Sequence, residues 1–176
     1  MKRRSTIALL VAAAGIRPAA AQDAQRDAPR PIKPVVFGEG HYDGEWGPKP
    51  HDFTIRRQAY WALLSGAAGH AYGAAGMWGW ADLQWGMSLQ AAMTLASAAQ
   101  MKHVGDLLTP RAWHRLVPDL DGAVMIDGAG AGIDHAATAR ADDGSLVLAY
   151  LPTPRTVAIG PSTARMMSAT VISSGL

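Results

Sequence analysis

Cysteine is absent from the 176-residue sequence, which excludes disulfide bonds and thiolate ligands to a metal ion. Long apolar runs are scarce as well. Beyond the first apolar run, no uninterrupted stretch reaches about 18 apolar residues, so no membrane-spanning helix is expected. No internal repeat has the period of a solenoid. The chain must therefore be stabilised by its own core or by a partner.

The basic residues are in excess only because of the first 21 residues. A charged start is followed by an apolar run over residues 7–16, and small residues precede Gln22, which is the pattern of a signal peptide cut after Ala21. This leader holds four of the 16 basic residues and none of the 14 acidic ones, so the remainder has a formal net charge of −2. We expect an exported protein, periplasmic or extracellular, with no nucleic-acid partner and no membrane contact after cleavage. Arg3 and Arg4 leave a twin-arginine route open.

A short strand followed by a glutamate is the central feature of the remaining chain. Residues 22–33 are polar and proline-containing, which predicts a linker. The apolar run over residues 35–38, bounded by Pro34 and a glycine, predicts a buried strand, and Glu39 follows it directly. In a barrel of parallel strands, this end of a strand is where catalytic groups lie.

Two strand-loop-helix units are predicted in this part of the sequence. Thr54 is the expected N-cap of the first helix, Gly69 its expected stop, and Ser88 the expected start of the second helix. The order of the elements is typical of parallel βα units. After the strand at 35–38, they are a loop over residues 40–53, a helix over 55–68, a strand over 70–73, a tryptophan-rich loop over 74–87 and a helix over 88–108.

Short alternating runs separated by turns begin near Pro118 and predict an antiparallel sheet. The turn Asp142-Asp143-Gly144 is the clearest hairpin signal in the chain. We place a domain boundary within residues 111–119. The predicted strands cover residues 123–126, 136–141, 146–151, 156–159 and 169–172.

Several of these stretches together resemble one family, the apiosidase-like glycoside hydrolases, whose catalytic domain is a (β/α)8 barrel. The resemblance lies in residues 39–44, 56–61, 66–73, Trp78, residues 100–103 and residues 113–119. Residues 137–140 and 148–153 resemble the small β-domain that follows this barrel in the family, a domain commonly named collagen-binding.

The resemblance implies an α+β chain in two parts. Residues 34–110 would form the last two βα units of a barrel, and residues 111–176 a small antiparallel, β-sandwich-like domain that is incomplete. A whole barrel needs eight strands and about 250 residues. We therefore expect a C-terminal portion of the family's architecture, with six βα units missing.

Glu39 matches a catalytic carboxylate of the family, and the resemblance implies that it is the nucleophile. Glycosidases need a second carboxyl group, about 5–5.5 Å away in retaining enzymes. That partner should come from an earlier barrel strand. Asp43 and Glu45 lie on the same loop and are the alternatives within this chain, although a loop pair lacks rigid opposed placement. The other interpretation of Glu39 is a solvated loop residue.

Polar and aromatic residues near both strands are candidates for sugar binding. Four of them combine planar hydrogen-bonding groups with aromatic faces and could line a sugar site: His41, Tyr42, His70 and Tyr72. The alternative is that these four are hydrogen-bonded residues of the protein interior. Trp78 and its loop could stack on a sugar or form a lid. No histidine spacing indicates a metal site, and no cofactor is expected.

The predicted function is that of a truncated apiosidase-like glycoside hydrolase of plant polysaccharide breakdown, inactive alone because it lacks the partner carboxylate. A pectic-type glycan is the expected ligand. A non-catalytic carbohydrate- or matrix-binding module is the alternative, and an intact small enzyme using Glu39 with Asp43 or Glu45 is a third. An open parallel strand pair exposes apolar faces and edges, so we also expect self-association.

Overall fold

The structure is a computed structural model that describes residues 33–45, 52–77 and 87–160, and the backbone of residues 169–173. The predicted leader and almost all of the predicted linker lie outside these residues, as does Trp78 with most of its loop. The described chain is a mixed α/β fold with short helices and small sheets. Each helix within the described residues falls short of the length and hydrophobicity that a membrane span requires.

The two predicted parallel strands are present, and both are short. In β1 (Val36–Phe37) and β2 (Gly69–His70), Val36 lies opposite Gly69 and Phe37 opposite His70. Phe37 is 6% exposed whereas Val36 is 51% exposed. One face of the strand pair is therefore covered and the other is open.

Helix α1 (Asp52–Leu64) connects the two strands, and it begins earlier than predicted. Thr54 lies inside the helix, so the prediction that it is the N-cap is wrong. A contact across the first turn favours the earlier start, because the Arg57 guanidinium lies 5.0 Å from the centre of the Phe53 ring.

The predicted stop of this helix is also wrong, because Gly66 ends α1 and Gly69 belongs to β2. Gly66 has a φ of +94°, a conformation that glycine adopts without strain. Its N–H donates to Leu63 O (3.2 Å), and the N–H of Ala67 donates to Ala62 O (3.0 Å). This pair of bonds is a Schellman motif, which satisfies the last carbonyls of the helix.

The long helix predicted over residues 88–108 is interrupted, forming α2 (Leu89–Ala92) and α3 (Ala96–Leu108). The predicted start is confirmed, because Ser88 Oγ accepts a hydrogen bond from Ala91 N (3.2 Å). The Thr94 hydroxyl donates to Ala91 O (2.9 Å), and such a local bond competes with the helical one. Leu95 is then extended, with a ψ of 134°.

The second half of the chain contains six strands, which are β3 (Leu116–Pro118), β4 (Met125–Asp127), β5 (Ala137–Ala141), β6 (Val147–Leu151), β7 (Ala158–Ile159) and β8 (Ala169–Ser173). They form a four-stranded sheet of order β3-β5-β6-β8 and a separate antiparallel pair of β4 and β7. The predicted hairpin is confirmed: β5 and β6 are antiparallel, and Gly144 turns with a φ of +74°.

The expectation of an antiparallel arrangement throughout is wrong for β8, which runs parallel to β6 with Val147 opposite Ala169. A parallel neighbour needs a crossover connection of about a dozen residues or more. Residues 152–168 supply that length, so the chain can return to the starting end of the sheet. A β-hairpin turn would have forced the antiparallel direction.

One hydrophobic core joins the helices to the four-stranded sheet. Buried side chains of α1 and α3 pack against the buried residues of β5 and β6 and against Leu146. The predicted boundary within residues 111–119 therefore falls between elements that share a core. The buried members are Ala59, Tyr60, Leu64, Val104, Leu108, Ala137, Ala139, Ala141, Leu146, Leu148 and Tyr150.

Candidate active site

The carboxyl ends of β1 and β2 lie side by side, and the backbone pairing continues beyond both strands. Ala71 N donates to Phe37 O (3.0 Å), and further along Asp43 N donates to Gly73 O (3.0 Å). Ala75 N then donates to Asp43 O (2.7 Å). The segments that carry the predicted site residues are thus held together at one edge.

The loop over residues 38–42 lies outside this pairing. Between the two paired positions, the first chain segment advances six residues, from Phe37 to Asp43, while the second advances two, from Ala71 to Gly73. The extra residues must bulge out of the strand pair. Glu39 is exposed on this bulge, and within the described part of the chain no group donates a hydrogen bond to its carboxylate.

The Gln58 side chain of α1 forms two hydrogen bonds to this loop. Its amide nitrogen donates to His41 O (2.9 Å), and its amide oxygen accepts from His41 N (3.0 Å). The side chain is only 7% exposed. A Cβ at Gly40 would come within 2.7 Å of the Gln58 oxygen and 2.6 Å of the Phe37 ring, so only glycine fits there.

Glu45 closes the other side of the loop. Its Oε2 accepts from Tyr42 N (3.2 Å) and lies 3.5 Å from His41 Nδ1. The His41 side chain is 55% exposed, and the Tyr42 ring is half-buried over Gly73. The Glu45 carboxylate is therefore engaged by its own loop.

Asp43 is buried at 3% exposure, and Ser97 donates a hydrogen bond to its Oδ2. The Ser97 hydroxyl is also 3.2 Å from the Tyr72 hydroxyl. Ser97 lies in the first turn of α3, where the positive end of the helix dipole favours a carboxylate. The hydrogen bond between Ser97 and Asp43 therefore connects the end of the loop to α3.

His70 and Tyr72 share one face of the strand, as the alternation of side chains predicts, and this is the face covered by the helices. The His70 ring stacks on Phe37 with centroids 5.7 Å apart. Burial lowers the pKa of His70, and its Nε2 is buried with no hydrogen-bond partner among the described residues. Burial also raises the pKa of Tyr72. This placement favours the interior role of both residues, and a role in sugar binding stays a prediction.

A cavity of about 300 Å³ lies on the same helix-covered side. It is lined by apolar groups of α1 and α3 together with His70, Tyr72 and Trp113. Glu39 does not line it, so the cavity is separate from the exposed carboxylate. No group of three or more metal-ligating side chains occurs within the described ranges.

Two residues of this region were not expected from the sequence. Gln58 is one of them, and it is buried. Its spacing of three residues from Ile55, which is fully buried, indicates the inner face. Ser97 has no comparable signal, because its partner Asp43 lies 54 residues away. Trp78 lies outside the described residues, so its role in sugar binding stays a prediction.

Comparison with known families identifies a glycosidase-like family. The model of the apiosidase-like catalytic domain matches residues 15–115, which is more than half of the 176 residues. The match starts within the predicted leader, and the leader stays a prediction. No curated protein matches the sequence.

Solved structures show a similar fold. A glycoside hydrolase family 5 protein from Bacteroides vulgatus ATCC 8482 superposes with a TM-score of 0.65 at 24% identity, covering 79% of this chain and 32% of that protein. A second structure, titled a glycoside hydrolase, gives a TM-score of 0.55 at 25% identity, covering 70% of this chain and 31% of the other. The chain spans about a third of the length of these structures.

Proposed function

Because the chain belongs to the apiosidase-like family, we propose that it carries part of a glycoside hydrolase site in which Glu39 is the nucleophilic carboxylate. The observation that carries this proposal is the position of Glu39, exposed just beyond the carboxyl end of a parallel strand. Barrel enzymes use this end of their strands for catalysis. The hydrogen bonds of His41 and Tyr42 fix the loop that carries Glu39, which favours a defined position for its backbone.

The proposal includes the architecture of the catalytic part. The order β1, α1, β2 and α3 is that of two successive βα units of a (β/α)8 barrel. The open face of the strand pair, with Val36 half exposed and Ala71 exposed, would face the interior of such a barrel. The strands from β3 onward would then form the small β-domain of sandwich type, named collagen-binding in the family.

In a retaining mechanism, Glu39 would attack the anomeric carbon while the bond to the leaving oxygen breaks. An acid would give its proton to that oxygen, and the same residue would then take a proton from the water that releases the sugar. The acid must be free to reach the substrate. Asp43 is buried against Ser97, and Glu45 is bound to Tyr42 N, so neither is suited to the role.

We therefore expect the chain alone to bind a glycan without hydrolysing it. The engagement of Asp43 and Glu45 also favours the second candidate function, a non-catalytic carbohydrate- or matrix-binding module. His41 and Tyr42 flank the exposed side of the loop and are the proposed sugar contacts. Export, a pectic-type glycan and self-association through the open strand face belong to the same proposal.

Two assays on the wild-type chain and Glu39→Gln test this function. Release of sugar from a panel of aryl glycosides measures hydrolysis, and calorimetric titration with pectic oligosaccharides measures binding. Asp106→Asn is the matched control, because it removes an exposed carboxylate on α3 that pairs with Lys102.

The expected result is binding without hydrolysis, weakened in Glu39→Gln and unchanged in Asp106→Asn. Hydrolysis by wild type that is lost in Glu39→Gln would keep Glu39 as the nucleophile but overturn the expected inactivity. Absence of both binding and hydrolysis would overturn the proposed function.

A further inference from the structure

We propose that Gln58 is a positioning residue, whose side-chain amide holds the peptide groups of His41 and thereby fixes the loop over residues 38–42 that carries Glu39. The consequence for glycan binding rests on the proposed function, because it requires that Glu39 act on a sugar. The positioning itself does not depend on it.

The loop needs such a support because it lies outside the strand pairing. The strand ladder pairs Phe37 and resumes at Asp43, so the peptide groups between them do not take part in it. Polar backbone groups without partners are costly when they are removed from water. For His41, the Gln58 amide supplies the two hydrogen bonds that a paired strand would otherwise provide. Its oxygen accepts from the His41 N–H, and its nitrogen donates to the His41 C=O.

The geometry is selective for glutamine. A planar amide supplies one donor and one acceptor side by side, which match the N–H and C=O groups of a peptide chain. Asparagine is one methylene shorter, and an ionised glutamate has no proton to donate. The absence of a Cβ at Gly40 lets the amide approach, since an alanine there would lie within 2.8 Å of two Gln58 atoms.

Helix α1 connects this support to the core of the protein. Gln58 is followed by Ala59 and Tyr60, which are 0% and 4% exposed in the core shared with the sheet. The helix cannot rotate without disturbing that core. Gln58 therefore transfers the rigidity of the core to a loop that lies outside the strand pairing.

Amide hydrogen exchange tests the positioning directly. In Gln58→Met, which keeps the length and removes both hydrogen bonds, we expect the His41 amide to exchange about tenfold faster or more, as for the loss of a net hydrogen bond. Gln90→Met is the control, because Gln90 is exposed on α2. In this variant the His41 amide should exchange at the wild-type rate. Unchanged exchange in Gln58→Met, with the fold intact by circular dichroism, would overturn the proposal.

Gln58→Glu separates the hydrogen bonds from packing, because its effect on the melting temperature should depend on pH. At neutral pH its carboxylate accepts from His41 N but cannot donate to His41 O, whereas the protonated acid can do both. We expect the melting temperature relative to wild type to recover as the pH is lowered from 7 toward 4. A constant difference across this range would contradict the paired hydrogen bonds. This variant also keeps the test open if Gln58→Met fails to fold.

Titration with pectic oligosaccharides connects positioning to function. We expect Gln58→Met to bind about tenfold more weakly than wild type, with Glu39 intact. Faster His41 exchange with unchanged glycan affinity would overturn the link to the site and leave the proposed function standing. Absence of glycan binding in wild type would overturn the proposed function, while the exchange results would still decide the positioning.

Discussion

The ring of Tyr60 on α1 stacks on the ring of Tyr150 on β6, with centroids 4.7 Å apart and planes inclined by 15°. Both residues are buried, at 4% and 0% exposure. The next residue of the helix adds a polar contact, since Trp61 Nε1 donates to His135 O (2.9 Å). The helix that supports the Glu39 loop is therefore also the main connection to the sheet.

Removing either ring should destabilise the whole described fold. Tyr150→Ala should lower the free energy of unfolding by about 3–5 kcal/mol, because a large buried ring leaves a cavity. A double-mutant cycle with Tyr60→Ala should give a coupling of about 0.5–1.5 kcal/mol, the value for stacked aromatic pairs. Urea unfolding followed by circular dichroism measures both. A coupling near zero, or separate transitions for the two halves of the chain, would contradict a shared core.

Asp43 should behave as a structural carboxylate. Asp43→Ala should cost about 1–3 kcal/mol of stability, because the buried Ser97 hydroxyl loses its acceptor. Asp43→Asn keeps an acceptor oxygen and should cost less. Asp106→Ala, at an exposed site, should change stability by less than about 0.5 kcal/mol. Thermal unfolding measures all three, and a fully stable Asp43→Ala would show that the buried bond is not needed.

Gly105→Ala should stabilise the chain by about 0.5–1 kcal/mol, because it lies inside α3 and glycine is a poor helix former. A Cβ added there meets no atom within 4 Å. Gly44→Ala is the contrasting variant: its φ of +78° disfavours alanine, and the Met87 side chain occupies the space. Melting temperatures should move in opposite directions, and a fall for Gly105→Ala would contradict the helix assignment.

Stability should fall as the pH is lowered below about 6.5. Burial lowers the pKa of His70 below its usual value of 6.5, and burial is also the main cause of the lowered pKa of His135. The unfolded chain then takes up protons that the folded chain resists, so stability present above pH 6.5 is lost as the pH falls through the folded pKa values.

Melting temperatures between pH 7 and 5 measure this effect. His70→Phe should reduce the loss, because the new ring can stack on Phe37 without titrating. His103→Phe is the control, since His103 is exposed on α3, and its acid sensitivity should match that of wild type. An equal loss in His70→Phe and wild type would show that His70 does not contribute.

The reliable sequence predictions concern signals that act over a few residues. Ser88 starts α2 and the turn at Gly144 joins β5 to β6, because both depend on local hydrogen bonds and local φ values. The prediction that α1 ends at Gly69 was wrong, because Gly66 satisfies the same local rule earlier in the chain. The helix ends at Gly66 because Ala67 completes the Schellman bonds there.

The residue order was enough to identify the family, the sequence of strand and helix, and the place of Glu39 after a strand, because motifs and periodicity are properties of adjacent residues. Only tertiary packing decided that Gln58 bonds to His41, that Asp43 is buried against Ser97, and that β8 runs parallel to β6. These contacts join residues 17, 54 and more than 20 positions apart. Which residues meet across such distances depends on which surfaces become buried together, and a pattern of neighbouring residues does not contain that information.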